Sequence, residues 1–506
     1  MVTDRTVLNR RSLLAGLAAS VAVPAVARPP ATSRFPVARP VIADLAQDAP
    51  VARAAGSLSD LLAGSGLSGQ TALVALDAGT GEVIEAYNAD LGLPPASTIK
   101  AITALYALQH LGPNFRHVTR VLSPGGAIEA GTLRGDLVLK GGGDPVLQTA
   151  DLARMANELI ERGLRRVEGR FVIDQNALPV IDQIDPSQPV QAGYNPSVSG
   201  LNLNFNRVYF SWAVSGGRAT VSMDARSEQE IPPVSVIDMR AVARDLPVYT
   251  HDVRGNRERW TVAASALQRS GSRWLPVRHS GLYTGDVLRA LLLARGCRVP
   301  EPQLTDATTR GAVLAEHFSD PLQSIVRDML RYSTNLTAEA VALSATIAQG
   351  HEVRALAPSA GRMAAWVQDA HGGQGFELLD HSGLGDGSRV SALSMARFML
   401  SARRGGQLPD LLRDHPMRDT EGRPRRDHPV TAKAKTGTLN FVSTLTGYAQ
   451  LPQGRPVVFS IMCADLPRRR IAQEAGRERP PGARGWNRRA RALQQQLIER
   501  WTLAQG

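Results

Sequence analysis

The sequence predicts an α/β protein in which both ends of the chain build one domain around a large, mostly β insert. Three observations carry this expectation. Apolar runs of strand length stand near the start, in "TALVALDAGTGEVIEAYNAD", and again near the end, in "TAKAKTGTLNFVSTLTGYAQLP" and "GRPVVFSIMCAD". Helix-period patterns follow the first run and precede the later ones. Between them, from Val121 to about Thr309, glycine-rich turns separate short alternating strands such as "VEGRFVID" and "LNLNFNRVYFSW". A chain of 506 residues exceeds one compact core. We therefore expect one domain from 58–120 with 310–506, interrupted by β-rich units at 121–309.

The first 27 residues read differently. "NRRSLLAGLAASVAVPAVA" pairs Arg10 and Arg11 with a moderately apolar, alanine-rich stretch and small residues at Ala25 and Ala27. This is the pattern of a cleavable export signal, and the arginine pair suits the twin-arginine route, with the general secretory route as the alternative. The apolar run is too short to span a bilayer, and no later segment reaches that length. Residues 28–57, rich in Pro, Ala and Arg, read as a flexible leader. The expected destination is the periplasm or cell envelope.

In the first strand pair, the turn falls around Gly79 to Glu82. Next, Ile99, Ile102, Leu105, Tyr106 and Leu108 mark a helix over Thr98–Leu111, entered after Pro94 and Pro95. Ser97 stands at its N-cap or first turn, and Lys100, three residues on, shares its face. The insert holds a helix or two, such as Thr149 to Arg162. "PLQSIVRDMLRYSTNLTAEAVALSATIAQ" is helical with a break near Ser333, and "NRRARALQQQLIERWTL" forms a terminal helix. The last two apolar runs are read as one pair of strands.

The formal charge is +12, from 58 basic against 46 acidic side chains. Only Lys100, Lys140, Lys433 and Lys435 are lysines; the other 54 are arginines. The arginines are scattered without interleaved aromatics, which argues against nucleic acid, and the charge reads first as solubilising, with attraction to an anionic wall polymer or membrane surface as the alternative. Two cysteines, Cys297 and Cys463, give neither a disulfide framework nor metal spacing. The histidines lack surrounding ligands, so neither metal nor cofactor is expected. "KGGGDP" (Lys140 to Pro145) lacks the Gly-Lys-Ser/Thr ending of a phosphate loop and reads as a tight turn.

Against this arginine background, the lysine three residues after Ser97 is informative. A serine hydroxyl needs a base to become a nucleophile. Guanidinium cannot surrender a proton, whereas a desolvated lysine beside other cations can. "STN" (Ser333 to Asn335) and "KTGT" (Lys435 to Thr438) follow in order. In that reading Ser333 relays a proton to the leaving amine, and Asn335 orients Lys100. Lys435, on an edge strand facing the helix, lowers the proton affinity of Lys100 and attracts a substrate carboxylate. Gly437 admits the substrate backbone, and the Ser97 and Thr438 N–H groups stabilise an oxyanion. Singly, Ser97 reads as a helix cap, "STN" as a helix entry and "KTGT" as a turn; the ordered trio favours chemistry. Lys433 reads as a flank.

The trio "PPASTIK", "YSTNLTAE" and "AKTGTL" resembles the D-alanyl-D-alanine carboxypeptidase/endopeptidase family, the class C low-molecular-mass penicillin-binding proteins. "GDLVLKGGGDP", "LNLNFN" and "DHSGL" extend the likeness over nearly the whole chain after the leader. Ser333 lies 236 residues beyond Ser97, and the family inserts two small domains there. The resemblance implies a serine β-lactamase/transpeptidase-like catalytic domain. It implies hydrolysis of terminal D-Ala–D-Ala bonds in peptidoglycan stem peptides and of D-Ala–diaminopimelate cross-links, with β-lactam antibiotics as covalent inhibitors. It assigns Ser97 as acylated nucleophile, Lys100 as base, Ser333 and Asn335 as the second element, and Lys435, Thr436 and Thr438 to the substrate carboxylate. Asp174 is the match for an insert residue near the stem-peptide side chain. This chain departs from the family at Thr334, where the family has Asp, and at "GDGSRV" after "SGL". The competing readings are a serine β-lactamase and a non-catalytic wall-binding scaffold.

Overall fold

The computed structural model describes residues 57–419 and 422–503. The expected export signal and leader up to residue 56 lie outside the described residues. Ser57 caps a short helix, Leu58–Gly64, through a reciprocal capping box with Asp60.

The central element is a five-stranded antiparallel sheet built from both ends of the chain. Its strands are β1 (Gln70–Asp77), β2 (Val83–Tyr87), β3 (Thr431–Leu439), β4 (Val442–Gln450) and β5 (Val457–Ala464), in the order β3-β4-β5-β1-β2. β1 pairs with β5 along its whole length, from Gln70 opposite Ala464 to Asp77 opposite Val457. Because the sheet is covered on both faces, β1 and β5 are nearly continuous apolar runs rather than alternating ones. Ala72, Val74 and Leu76 face a helical layer that includes Ile102, Tyr106 and Met329. Leu73 and Ala75 face the terminal helix, Ala483–Leu503, through Trp486, Leu493 and Leu497.

The expected pair of C-terminal strands is three strands. "TAKAKTGTLNFVSTLTGYAQ" is a hairpin, β3 and β4, turning at Asn440 and Phe441 with Phe441 at φ 58°. The turn carries no glycine, so composition alone does not mark it. β3 lies at the sheet edge, as expected for the strand of Lys435.

The helical layer contains α1 (Lys100–Leu111), α2 (Leu322–Tyr332) and α3 (Asn335–Ala348). α1 starts later than its periodicity suggests, because a 3₁₀ turn, Ala96–Ile99, leads into it. The excursion contains four small sheets and two long helices, Thr149–Glu161 and Ser280–Ala294. Its five-stranded sheet is closed by Val118–Ser123 pairing with Ala312–Phe318, where the chain leaves α1 and returns to α2.

Both cysteines are buried and unpaired, Cys297 in the core of the excursion and Cys463 beneath the terminal helix. The run "KGGGDP" is more than a tight turn. A side chain on Gly141 would strike the Gly200 carbonyl and one on Gly142 the Val118 carbonyl, so the glycines permit backbone segments to cross.

Candidate active site

Ser97 sits in the 3₁₀ turn before α1, with no side-chain cap bond. Its predecessor Ala96 has φ 46°, an uncommon conformation for a residue with a side chain. Gly383 packs so closely on the Ala96 carbonyl that a Cβ there would overlap it. From the other side, β3 reaches the same turn, and a Cβ on Gly437 would meet Thr444 Oγ1 and the Ser97 nitrogen. The need for glycine at 437 therefore arises within the protein, from the close fit of strand and turn, and does not require a substrate backbone.

Lys100 begins α1 and is fully buried. Its Nζ lies 2.8 Å from Ser97 Oγ, 2.7 Å from Asn335 Oδ1 and 2.6 Å from the Ser382 carbonyl oxygen. Two of these partners can only accept hydrogen bonds, while the third is a hydroxyl that can also donate. Both protonation states fit this set: an ammonium donates to all three oxygens, and a neutral amine donates to the two carbonyl oxygens and turns its lone pair to the serine hydroxyl. Burial lowers the pKa of Lys100 to about 7, against the opposing charges of Asp380 and Glu339.

Ser333 ends α2 in a left-handed conformation, φ 59° and ψ 39°, with its N–H donating to the Met329 carbonyl at 2.8 Å. This reversal directs its hydroxyl to Lys435, whose Nζ lies 2.9 Å from Ser333 Oγ and 2.7 Å from the Thr436 carbonyl. Burial, then the charges of Lys100 and Arg413, hold the pKa of Lys435 well below the usual lysine range. Asn335, the first residue of α3, also donates to the Tyr194 carbonyl at 2.9 Å, which ties the site to the excursion.

Ser97, Ser333, Asn335, Thr436 and Thr438 line one cleft together with Tyr194, Arg469 and Glu478. The structure thus brings together Ser97, Lys100, Ser333, Asn335 and Lys435, with Thr436, Gly437 and Thr438 along the strand. It does not bring Asp174. That side chain is buried at the end of the Phe171–Asp174 strand. It accepts from the Thr309 N–H and hydroxyl at 2.8 Å each and stands 3.7 Å from Lys140 Nζ. Asp174 organises the excursion and does not border the cleft. Lys433 is an exposed flank, 4.0 Å from Asp410. Thr334 turns away from the cleft into a separate cavity.

Sequence reasoning left out the support behind Lys100. The Asp380 carboxylate accepts the N–H groups of Ser382, Gly383 and Gly385, and so shapes the loop whose Ser382 carbonyl meets Lys100. Beside it, the His381 ring contacts Glu339 at 2.7 Å and Ser359 at 3.0 Å, all buried. Burial and the Glu339 charge raise the pKa of Asp380 to about 6. Burial works against the charge of Glu339, but hydrogen bonding and the charge of His381 hold its pKa below the ordinary value. "DHSGL" and the last residue of "YSTNLTAE" were the available signals, but their partners lie on distant segments.

A serine, a buried amine able to take its proton, and a second serine–lysine pair across one cleft form a constellation for acyl transfer. The profile of the D-Ala-D-Ala carboxypeptidase 3 (S13) family matches residues 54–484. The chain belongs to this family. It is therefore a serine-type D-Ala-D-Ala carboxypeptidase, and the expected kinship is borne out. A D-alanyl-D-alanine carboxypeptidase of an Actinomadura species is 28% identical over 480 residues, 81% of this chain and 83% of that one. The D-alanyl-D-alanine carboxypeptidase DacB of Haemophilus influenzae is 24% identical over 407 residues, 75% of this chain and 82% of that one. Penicillin-binding protein 4 from H. influenzae superposes with a TM-score of 0.70 at 21% identity, covering 87% of this chain and 99% of that one. That likeness bears out the transpeptidase-like fold. Among the described residues, no helix is long and apolar enough to cross a membrane.

Proposed function

We propose that this enzyme is an exported DD-peptidase of the cell envelope that cleaves the terminal D-Ala–D-Ala bond of peptidoglycan stem peptides through an acyl-enzyme on Ser97. D-Ala–diaminopimelate cross-links are the second substrate, and the twin-arginine signal is the export route. The observation that carries this reading is the buried Lys100 Nζ within 2.8 Å of Ser97 Oγ, with no carboxylate in contact to hold its proton.

In this mechanism the Ser97 hydroxyl gives its proton to Lys100 as Oγ attacks the penultimate D-Ala carbonyl. The N–H groups of Ser97 and Thr438 receive the oxyanion. Lys435, Thr436 and Thr438 hold the substrate carboxylate. The C–N bond breaks as Ser333, bridged to Lys435, passes a proton to the departing amine and takes in its place the proton that Lys100 received, so that Lys100 is neutral again. Water then attacks the ester, gives its proton to the same base and restores Ser97.

A β-lactam enters the same path, and its acyl group remains on Ser97. The test is intact-protein mass spectrometry after incubation with benzylpenicillin, comparing wild type with Ser97→Ala. A long-lived adduct of one penicillin, absent from the variant, is the expected result. An adduct that clears within seconds replaces this reading with a β-lactamase, and no adduct on wild type leaves a scaffold.

A further inference from the structure

Behind the loop that carries Ser333 and Asn335 lies a second cavity. Its volume is about 340 Å³, against about 50 Å³ for the catalytic cleft. One wall comes from α2 and α3, through Asp328, Met329, Tyr332, Thr334 and Thr337; the excursion supplies the other, including Phe205 and His317. Asp320, an exposed residue, also lines it.

Three polar groups in this cavity have spare capacity. Thr337 is 2% exposed, and its Oγ1 has no hydrogen-bond partner. Buried hydroxyls are ordinarily paired, so an unpaired one in a cavity wall marks a place for a ligand atom. Asp320 and Asp328 form no ion pair among the described residues, on a chain with a net charge of +12. The remaining carboxylate, Asp151, is already committed: it pairs with Arg154 and accepts the Gln148 N–H at 2.7 Å. His317 is held between Asp144 at 3.5 Å and Asp151 at 3.8 Å, and is likewise occupied.

We propose that this cavity binds an organic ammonium group on an apolar stem. Asp328 and Asp320 supply the counter-charge, and Thr337 Oγ1 accepts an N–H. The rings of Tyr332 and Phe205 and the Met329 side chain provide the apolar and cation–π surface for the stem. The lining cations Arg154 and His317 are taken up by Asp151 and Asp144, so an anion meets two unneutralised carboxylates. A bare metal ion lacks a cage, since no group of three or more His, Cys, Asp or Glu suited to a metal occurs among the described residues. Thr334 gives the site its consequence. It lines this cavity while its two neighbours, Ser333 and Asn335, line the catalytic cleft. An occupant therefore presses on the segment that positions both, and it changes the rate at which Ser97 is acylated.

Two sources carry this chemistry, a free diamine and the side-chain amine of a peptide stem. Titration calorimetry on the full chain with cadaverine measures binding without relying on activity. One site is expected, with binding weakened at least tenfold by Asp328→Asn and several-fold by Thr337→Val, and no binding of 1-pentanol or pentanoate. No heat with cadaverine, or binding unchanged in both variants while their melting temperatures match wild type, overturns the proposal. Should Asp328→Asn fail to fold, Asp320→Asn, at an exposed position, takes its place. A lysine-terminated tripeptide binding tenfold tighter than cadaverine, and losing that affinity on Nε-acetylation, assigns the site to stems; equal affinity assigns it to free amines. Cadaverine should also change the benzylpenicillin acylation rate at least twofold in wild type and not in Asp328→Asn. An unchanged wild-type rate overturns the coupling through Thr334.

Discussion

Two lysines in different regions show what makes a base. Lys140, in the excursion, stands 3.7 Å from the Asp174 carboxylate, donates to the Thr309 carbonyl at 2.8 Å, and retains about a quarter of its side-chain exposure. Lys100, beside the central sheet, is fully buried and forms no ion pair among the described residues; its three contacts are a hydroxyl and two carbonyl oxygens. Both are lysines on an arginine-rich chain, and both lie in segments that resemble family signatures. The difference is that Lys140 keeps a carboxylate at 3.7 Å and part of its exposure, whereas Lys100 is fully desolvated and touches no carboxylate, the charges of Asp380 and Glu339 only partly opposing the effect of burial. Desolvation without a contacting carboxylate makes the amine a proton acceptor.

The sharpest way to break this contrast is Lys100→Arg. It keeps a long basic side chain but makes the positive charge permanent, because guanidinium stays protonated. Acylation by benzylpenicillin is expected to fall by about 10³-fold, within the range for a lost general base. In wild type the acylation rate should rise with pH through about 7, because the base form of Lys100 accumulates above its lowered pKa. Stopped-flow acylation across pH 5.5–9 (a range on the order of two units either side of neutrality) checks both. A variant that keeps wild-type rates removes Lys100 from the mechanism.

Lys435→Met comes next. It removes the partner of Ser333 while leaving the Lys100 contacts intact. Loss of one charge-assisted hydrogen bond is worth about 1.5–3 kcal/mol, so acylation should fall roughly 10- to 100-fold. The same variant should bind a D-Ala–D-Ala peptide more weakly, raising KM as well as lowering kcat. A change in kcat alone assigns Lys435 to proton relay without carboxylate binding.

The legibility of these features in the sequence follows the range of the interactions. Ser97 with Lys100, and Ser333 with Asn335, are local pairs whose spacing already places them on a helix start and a helix break. Their meeting at 2.7 Å across 235 residues rested on the ordered trio. The strands β1 and β5 declared themselves by apolar length, and their burial on both faces explains why. The turn at Asn440 and Phe441 was hidden because Phe441 takes a left-handed conformation without glycine, while Gly437, which looks like a turn residue, sits inside β3. Asp174 misled because a carboxylate at a strand end says nothing of what awaits it; here Thr309 and Lys140 do, from distant segments. The Glu339–His381 pair was invisible for the same reason, since 42 residues separate its members.

The smallest expected effect is at Lys140 itself. In Lys140→Met, Asp174 keeps both Thr309 hydrogen bonds and those from Asn176, so its carboxylate is not stranded. The lost ion pair is partly exposed and long, and pairs of that kind contribute about 0–1 kcal/mol. Urea unfolding should therefore shift by less than about 1 kcal/mol, and benzylpenicillin acylation should stay within about twofold, a change of roughly 0.4 kcal/mol in barrier. The site touches the excursion at Tyr194, through the Asn335 amide, and Lys140 has no part in that contact. A fall in acylation beyond about tenfold would break the comparison. It would mean that the excursion sets the catalytic lysine through its own sheet, and that Tyr194 is only the visible end of that coupling.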